Sequence, residues 1–166
     1  MPPTPDVDSL VRTLDRCRRH VVEALEGLDD EQLRTPVLPS GWSPVELTSH
    51  LTLGGERYWF ASIVGGEPLD WMPVGWRADW QTDPSTPTGE IIGNYERQIE
   101  RSNATLAGVD LDDPPRQRDP TWEVWGVDFP TVRAIVHHMI VETATHAGHL
   151  DAAVELLDGR QRLVIE

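Results

Sequence analysis

The sequence predicts an all-α domain, a four-helix bundle with a long crossover between its second and third helices. Four stretches carry apolar residues at spacings of three and four, the period of an amphipathic helix. No stretch shows a strong strand alternation, and the connection at residues 65–86 exceeds the roughly two to eight residues usual between helices of a bundle. A chain of 166 residues has the length of one domain, which we expect to span residues 1–166.

The first two helices have clear sequence signals. Leu14 and Leu25 belong to an apolar pattern of helical period that covers about residues 6–28. The second helix has a predicted N-cap at Ser43, followed by a proline and, three residues after the cap, by the glutamate of a capping box. This helix is expected to extend to about Val64, because two glycines follow it.

The third and fourth helices are predicted by similar signals. The third begins near Thr86, before a proline, and runs to about Leu106. The fourth opens at Pro130 or Thr131 and ends at Gly159, a predicted C′ residue. Between them, residues 109–130 are predicted as a loop, in which the segment TWEVWGVDF alternates like a short strand or hairpin arm.

Composition and charge argue against several classes of protein. A formal net charge of −14 disfavours binding to nucleic acids and to anionic membranes, since both require a basic surface. No apolar run approaches the roughly 18–20 residues of a membrane span, and the N-terminus lacks the features of a signal peptide. We therefore expect a cytoplasmic protein. The single cysteine, Cys17, excludes a cysteine-based zinc cluster.

Polar residues occupy the apolar face of the fourth predicted helix. At about 100° per residue, His146 lies roughly 40° to one side of Glu142 and His149 roughly 20° to the other. Met139 and Ala153 share this sector, which is expected to face the core. Buried polar groups cost free energy unless they are paired or coordinated. A bound metal ion is one explanation, and a His–Glu hydrogen bond without metal is the other.

A facing helix can supply a third ligand. Glu142 and His146 are four residues apart, so both project from one face, and His50 points inward on the second helix by the same construction. Two imidazoles and one carboxylate suit zinc, with nickel, iron and manganese also compatible. Three protein ligands leave an open position, as in catalytic sites. His149 is a rival third ligand, or else a group that faces the substrate.

Other residues near this predicted site have two interpretations each. Arg57 lies about two turns beyond His50 on the same predicted face, where it could hold a carboxylate or a polar group of a thiol cosubstrate. A surface ion pair is the alternative. Gly54 leaves space beside His50. The three tryptophans and the methionine of residues 65–86 could wall a pocket or cover the end of the bundle.

Two motifs resemble a known group of proteins. The segment GWSPVELTSHL on the second predicted helix and HHMIVETATHAGHLDAAVELLDG on the fourth resemble the DinB-like superfamily. That superfamily includes the mycothiol-dependent maleylpyruvate isomerases and the thiol S-transferases. The resemblance is closest to an actinobacterial branch and covers the order of all four helices. In residues 65–86 and 109–130 we identify no motif that matches it.

The resemblance implies a metal-binding four-helix bundle, and residue by residue it points to His50, Glu142 and His146 as the metal ligands. It further implies a metal-dependent thiol transferase or isomerase that uses a low-molecular-weight thiol such as mycothiol, and a homodimer. His149 and Arg57 are the residues that we would assign to catalysis beside the metal. Two other functions stay open: a metal-dependent hydrolase, and a non-catalytic small-molecule-binding or stress protein with a structural metal.

Overall fold

The computed structural model describes residues 5–162, excluding the side chains of residues 5–8 and 125. Every regular element in this range is a helix, which confirms the all-α prediction. None of these helices has the length and apolarity needed to cross a membrane. Residues 1–4, on which the signal-peptide expectation partly depends, lie outside the described range. The helices are α1 (Pro5–Leu25), α2 (Asp30–Arg34), α3 (Pro44–His50), a π-helix (Leu51–Val64), a 3-10 helix (Ala78–Trp80), α4 (Thr88–Ala107), α5 (Thr121–Trp125) and α6 (Val132–Asp158).

The long helices pack mainly in two pairs. α1 lies along α6, and α4 lies along the π-helix, while smaller contacts join α3 and the π-helix to α6. The apolar face predicted for the fourth helix is buried in α6, where Ile135, Met139 and Ala153 are fully inaccessible to solvent. Burial of these side chains against the other helices is the main stabilising contribution at this interface.

The second predicted helix has the expected ends but a different geometry in its second half. The backbone N–H of Ser43 donates to the Glu46 carboxylate at 2.7 Å, as the capping box requires. After His50 the chain continues as the π-helix, in which hydrogen bonds join residues five apart instead of four. The last of these joins the N–H of Gly65 to the carbonyl of Phe60 at 2.9 Å. Faces calculated at the α-helical 100° per residue therefore do not apply beyond His50.

Two short helices differ from the sequence prediction. The turn expected after α1 contains α2, which begins where the Asp29 carboxylate accepts the Gln32 N–H at 2.8 Å. The strand-like arm expected in TWEVWGVDF is wrong, because this segment contains α5. There the Asp119 carboxylate accepts the Thr121 N–H at 2.8 Å, and Gly126 ends the helix at a positive φ of 65°. This Asx turn before the helix and the glycine after it outweigh the alternating pattern.

The ends of α6 agree with the prediction. Its N-cap is Thr131, whose hydroxyl oxygen accepts the Ala134 N–H at 3.2 Å. Its C-cap is Gly159, at a φ of 80° that favours glycine. The helix thus presents 27 residues without interruption, and the motif residues lie in its middle.

A buried ion pair joins α1 to the π-helix. Arg18 and Glu56 are each 1% exposed, and two hydrogen bonds of 2.8 and 2.6 Å link the guanidinium to the carboxylate. The same guanidinium donates to Asp15 and, on α4, to Asn103. Burial alone would lower the pKa of Arg18, but Glu56 outweighs it and raises the pKa. The sequence analysis did not predict this pair.

Replacing one partner of this pair will destabilise the protein strongly. We expect Glu56→Gln to lower the free energy of unfolding by about 3–5 kcal/mol, since it leaves a buried guanidinium without its counter-charge. Urea denaturation measures this value. The matched change Glu96→Gln, at an exposed position of α4, should alter it by less than about 0.5 kcal/mol. Equal effects of the two substitutions would contradict the assignment.

Candidate functional site

The structure brings together the three residues that the sequence singled out as metal ligands. One ligand atom from each of His50, Glu142 and His146 can be chosen so that all lie within 4.8 Å of one another. A Glu142 oxygen is 3.0 Å from Nε2 of His146 and 3.4 Å from Nε2 of His50. Tetrahedral ligands about 2.1 Å from a zinc ion are roughly 3.4 Å apart. The spacing therefore fits a shared divalent cation.

The group lies at the edge of the core, which corrects the expectation that these residues are buried. The side chains of His50, Glu142 and His146 are 17%, 33% and 13% exposed. Met139, one turn before Glu142, is fully buried. A small molecule can thus reach the group from solvent, while one side of it faces the packed helices.

Asp79 is the site residue that sequence reasoning missed. Its carboxylate lies 2.5 Å from Nδ1 of His50, and its backbone carbonyl accepts the Ser49 hydroxyl at 2.9 Å. A carboxylate on one imidazole nitrogen fixes the tautomer and leaves the other nitrogen free to bind a metal. Asp79 lies in the 3-10 helix of the long connection, where no periodicity indicates its position. The one available signal was the presence of a carboxylate in a loop next to the second helix.

Gly54 provides the space for this contact. A Cβ atom at Gly54 would lie 2.6 Å from the carboxylate of Asp79 and 3.1 Å from Nδ1 of His50. Distances under 3.0 Å require a neighbour to move. The space that the sequence analysis expected beside His50 is thus filled by the carboxylate of Asp79.

Charges around His50 favour a cation. Burial alone would lower the pKa of His50, but its hydrogen bonds with Asp79 and Glu142 outweigh burial and raise it. Hydrogen bonds with His146 and His50 hold the pKa of Glu142 well below its ordinary value, against the effect of burial. Burial would raise the pKa of Asp79, but its hydrogen bond with His50 outweighs this and lowers it. Both carboxylates are therefore ionised and attract positive charge.

The two histidines differ in their second nitrogen. Nδ1 of His50 faces the carboxylate of Asp79, whereas the buried Nδ1 of His146 has no hydrogen-bond partner among residues 5–162. Metal-ligating histidines usually donate this second N–H to a carboxylate or carbonyl. His50 is accordingly the more firmly oriented of the two imidazoles.

One of the loop tryptophans covers the group. Trp80 stacks on the His50 ring, with centroids 4.4 Å apart and planes at 13°, and meets the His146 ring edge-on at 5.7 Å. Trp42 is buried behind it, with ring centroids 6.4 Å apart. Trp76, by contrast, is 89% exposed. Of the residues expected to wall a pocket, Trp80 is the one that contacts the candidate metal ligands.

The two residues expected to act beside the metal occupy different places. His149 is exposed on α6, and its ring lies 5.7 Å from that of His146, so it borders the group. Arg57 stacks its guanidinium over Trp71 at 4.0 Å and lines a separate cleft, which includes none of the three candidate ligands. The predicted shared face with His50 does not hold for Arg57 because the intervening residues are π-helical.

A matched pair of glycine substitutions tests the contact between His50 and Asp79. With a chelator present, Gly54→Ala should lower the free energy of unfolding by about 1–3 kcal/mol, because the new methyl group displaces Asp79. Gly148→Ala, where no atom lies within 4 Å of the added Cβ, should raise it by about 0.5–1 kcal/mol. Chemical denaturation measures the free energy of unfolding of each variant. An increase in both variants would refute the assigned packing.

Comparison with known proteins gives one match. The model of the Mycothiol-S-transferase (MST) family matches residues 9–159, which include all of the helices except the first turn of α1. His50, Glu142 and His146 all lie within the matched region. No curated protein and no solved structure matches the chain significantly.

Proposed function

We propose, because this chain belongs to the Mycothiol-S-transferase family of the DinB-like superfamily, that it is a metal-dependent enzyme transferring a low-molecular-weight thiol to a small electrophile. Family membership supports transfer chemistry that involves mycothiol. The observation that carries the metal dependence is the convergence of His50, Glu142 and His146 within 4.8 Å. The exposure of the group supports access by two small molecules.

The proposed metal ligands are Nε2 of His50, a carboxylate oxygen of Glu142 and Nε2 of His146. Zinc is the ion that we propose, since two imidazoles and a carboxylate suit it, and nickel and iron tolerate the same set. A divalent metal held there lowers the pKa of a thiol that coordinates it. The protein's part is to fix the ligands, and the carboxylate of Asp79 does so for His50.

The transfer itself forms one bond and breaks another. The thiol loses its proton to a base, its sulfur forms a bond to the electrophilic carbon, and the leaving group departs with the electron pair of the broken bond. We assign the base to His149, because it is exposed and its ring lies 5.7 Å from that of His146. Trp80, stacked on His50, limits the access of water from one side.

We also propose how the helices are arranged, what class of substrate binds and how the protein assembles. α1, the α3–π-helix pair, α4 and α6 are proposed to form a four-helix bundle in one domain, with residues 65–86 as the crossover. The packing of α1 on α6 and of α4 on the π-helix supports this arrangement. The net charge of −14 supports a small-molecule substrate over a nucleic acid. A homodimer in the cytoplasm is the assembly that we expect.

Turnover of a simple electrophile tests this function. Untagged protein is given mycothiol and 1-chloro-2,4-dinitrobenzene, and the new C–S bond is followed by absorbance as chloride is released. We expect turnover that requires the thiol, is lost in a chelator and returns with added zinc. Turnover that persists without thiol would contradict transfer, and turnover insensitive to the chelator would contradict metal dependence.

Substitution of Asp79 tests the same function through a partial loss of activity. Asp79→Asn should lower kcat/KM about 10–100-fold, which is the usual cost of removing the residue that orients a metal-ligating histidine. Asp70→Asn changes an exposed aspartate of the same connection and should leave kcat/KM unchanged. Equal activity in the two variants would remove the proposed role of Asp79.

A further inference from the structure

A cavity lies between the π-helix and α4, and none of the three candidate metal ligands lines it. It is an open cleft of about 410 Å³, a volume within the range of small-molecule sites. Its lining includes Arg57 from the π-helix, Arg97, Gln98 and Arg101 from α4, and residues 81–83 of the long connection. We propose that this cleft binds a small organic anion through its carboxylate or phosphate oxygens. The inference goes beyond thiol transfer and does not depend on it.

The charge of the cleft is opposite to that of the chain. Three arginines line it in a protein whose formal net charge is −14, and Asp83 is its only acidic lining residue. The Asp83 carboxylate already accepts hydrogen bonds from the backbone N–H and the hydroxyl of Ser85, at 2.8 and 2.7 Å. Concentrating positive charge in a concave site attracts anions and raises their local concentration.

The arginines keep donors available for a ligand. None of Arg57, Arg97 and Arg101 forms an ion pair with a carboxylate of the described residues. The guanidinium of Arg57 lies over the Trp71 ring, and Arg97 donates one hydrogen bond of 2.6 Å to Asn94. A guanidinium has five N–H donors in a fork that matches carboxylate and phosphate oxygens. Stacking orients the Arg57 fork without using its donors.

A buried amide in the cleft needs an acceptor. Gln98 is only 6% exposed, and its Nε2 donates to no acceptor in the described part of the chain. A buried donor without a partner costs free energy, which an acceptor atom of a bound molecule or a water would offset. Arg97 is its neighbour in sequence, and Arg101 lies one turn further on the same helix. The cleft lining on α4 thus combines this amide with two guanidiniums from neighbouring positions of the helix.

Calorimetric titration tests the site with defined probes. The protein is titrated at constant ionic strength with succinate, with inorganic phosphate and with the uncharged succinamide. We expect heat of binding from at least one anion and none from succinamide. Succinate alone would identify a carboxylate ligand, and phosphate alone a phosphate ligand. Absence of binding by both anions, or equal binding of succinamide, would overturn the proposal.

A matched pair of double variants locates the binding. Arg97→Gln with Arg101→Gln removes two exposed charges from the cleft and should weaken anion binding at least about tenfold, because it removes charge-assisted hydrogen bonds. Arg16→Gln with Arg19→Gln removes two exposed charges from α1 and should leave binding unchanged. Equal affinities of the two double variants would show that the anion binds elsewhere and would overturn the proposal.

Discussion

The contact between Asp79 and His50 is the interaction on which the candidate site depends. It joins the long connection to the end of α3, orients the imidazole and places Trp80, the next residue, over the same ring. Position 54 is a glycine, and a Cβ there would lie 2.6 Å from the carboxylate, so the side chain of Asp79 would have to move. Glycine costs about 1 kcal/mol of helix propensity relative to alanine. This glycine lies at the turn of the helix against which the long connection packs.

The π-helix sets the directions of the side chains that follow His50. Single π turns are the usual form in proteins and are frequent at functional sites, whereas here 14 residues continue α3 without a break. Within this helix Gly54 lies beside Asp79, Glu56 pairs with the buried Arg18, and Arg57 lines the cleft beside α4. One helix thereby serves the candidate metal group, the buried ion pair and the arginine cleft on different faces.

Helix ends and the candidate metal ligands could be predicted from the sequence. The capping box at Ser43, the ends of α6 and the convergence of His50, Glu142 and His146 follow from helical spacing and a family resemblance. Contacts between distant segments that lack periodicity could not be predicted, and Asp79 is the main example. The α5 segment was misread because an Asx turn at Asp119 outweighed its strand-like alternation.

The metal content of untagged protein is the most direct test of the central claim that three side chains hold one ion. Elemental analysis after dialysis should find about one divalent ion per chain. His50→Ala, Glu142→Ala and His146→Ala should each lose most of it, while His137→Ala, at an exposed position of α6, should retain it. If the His50 and His146 variants keep as much metal as the parent, the group is a hydrogen-bonded cluster and not a metal centre.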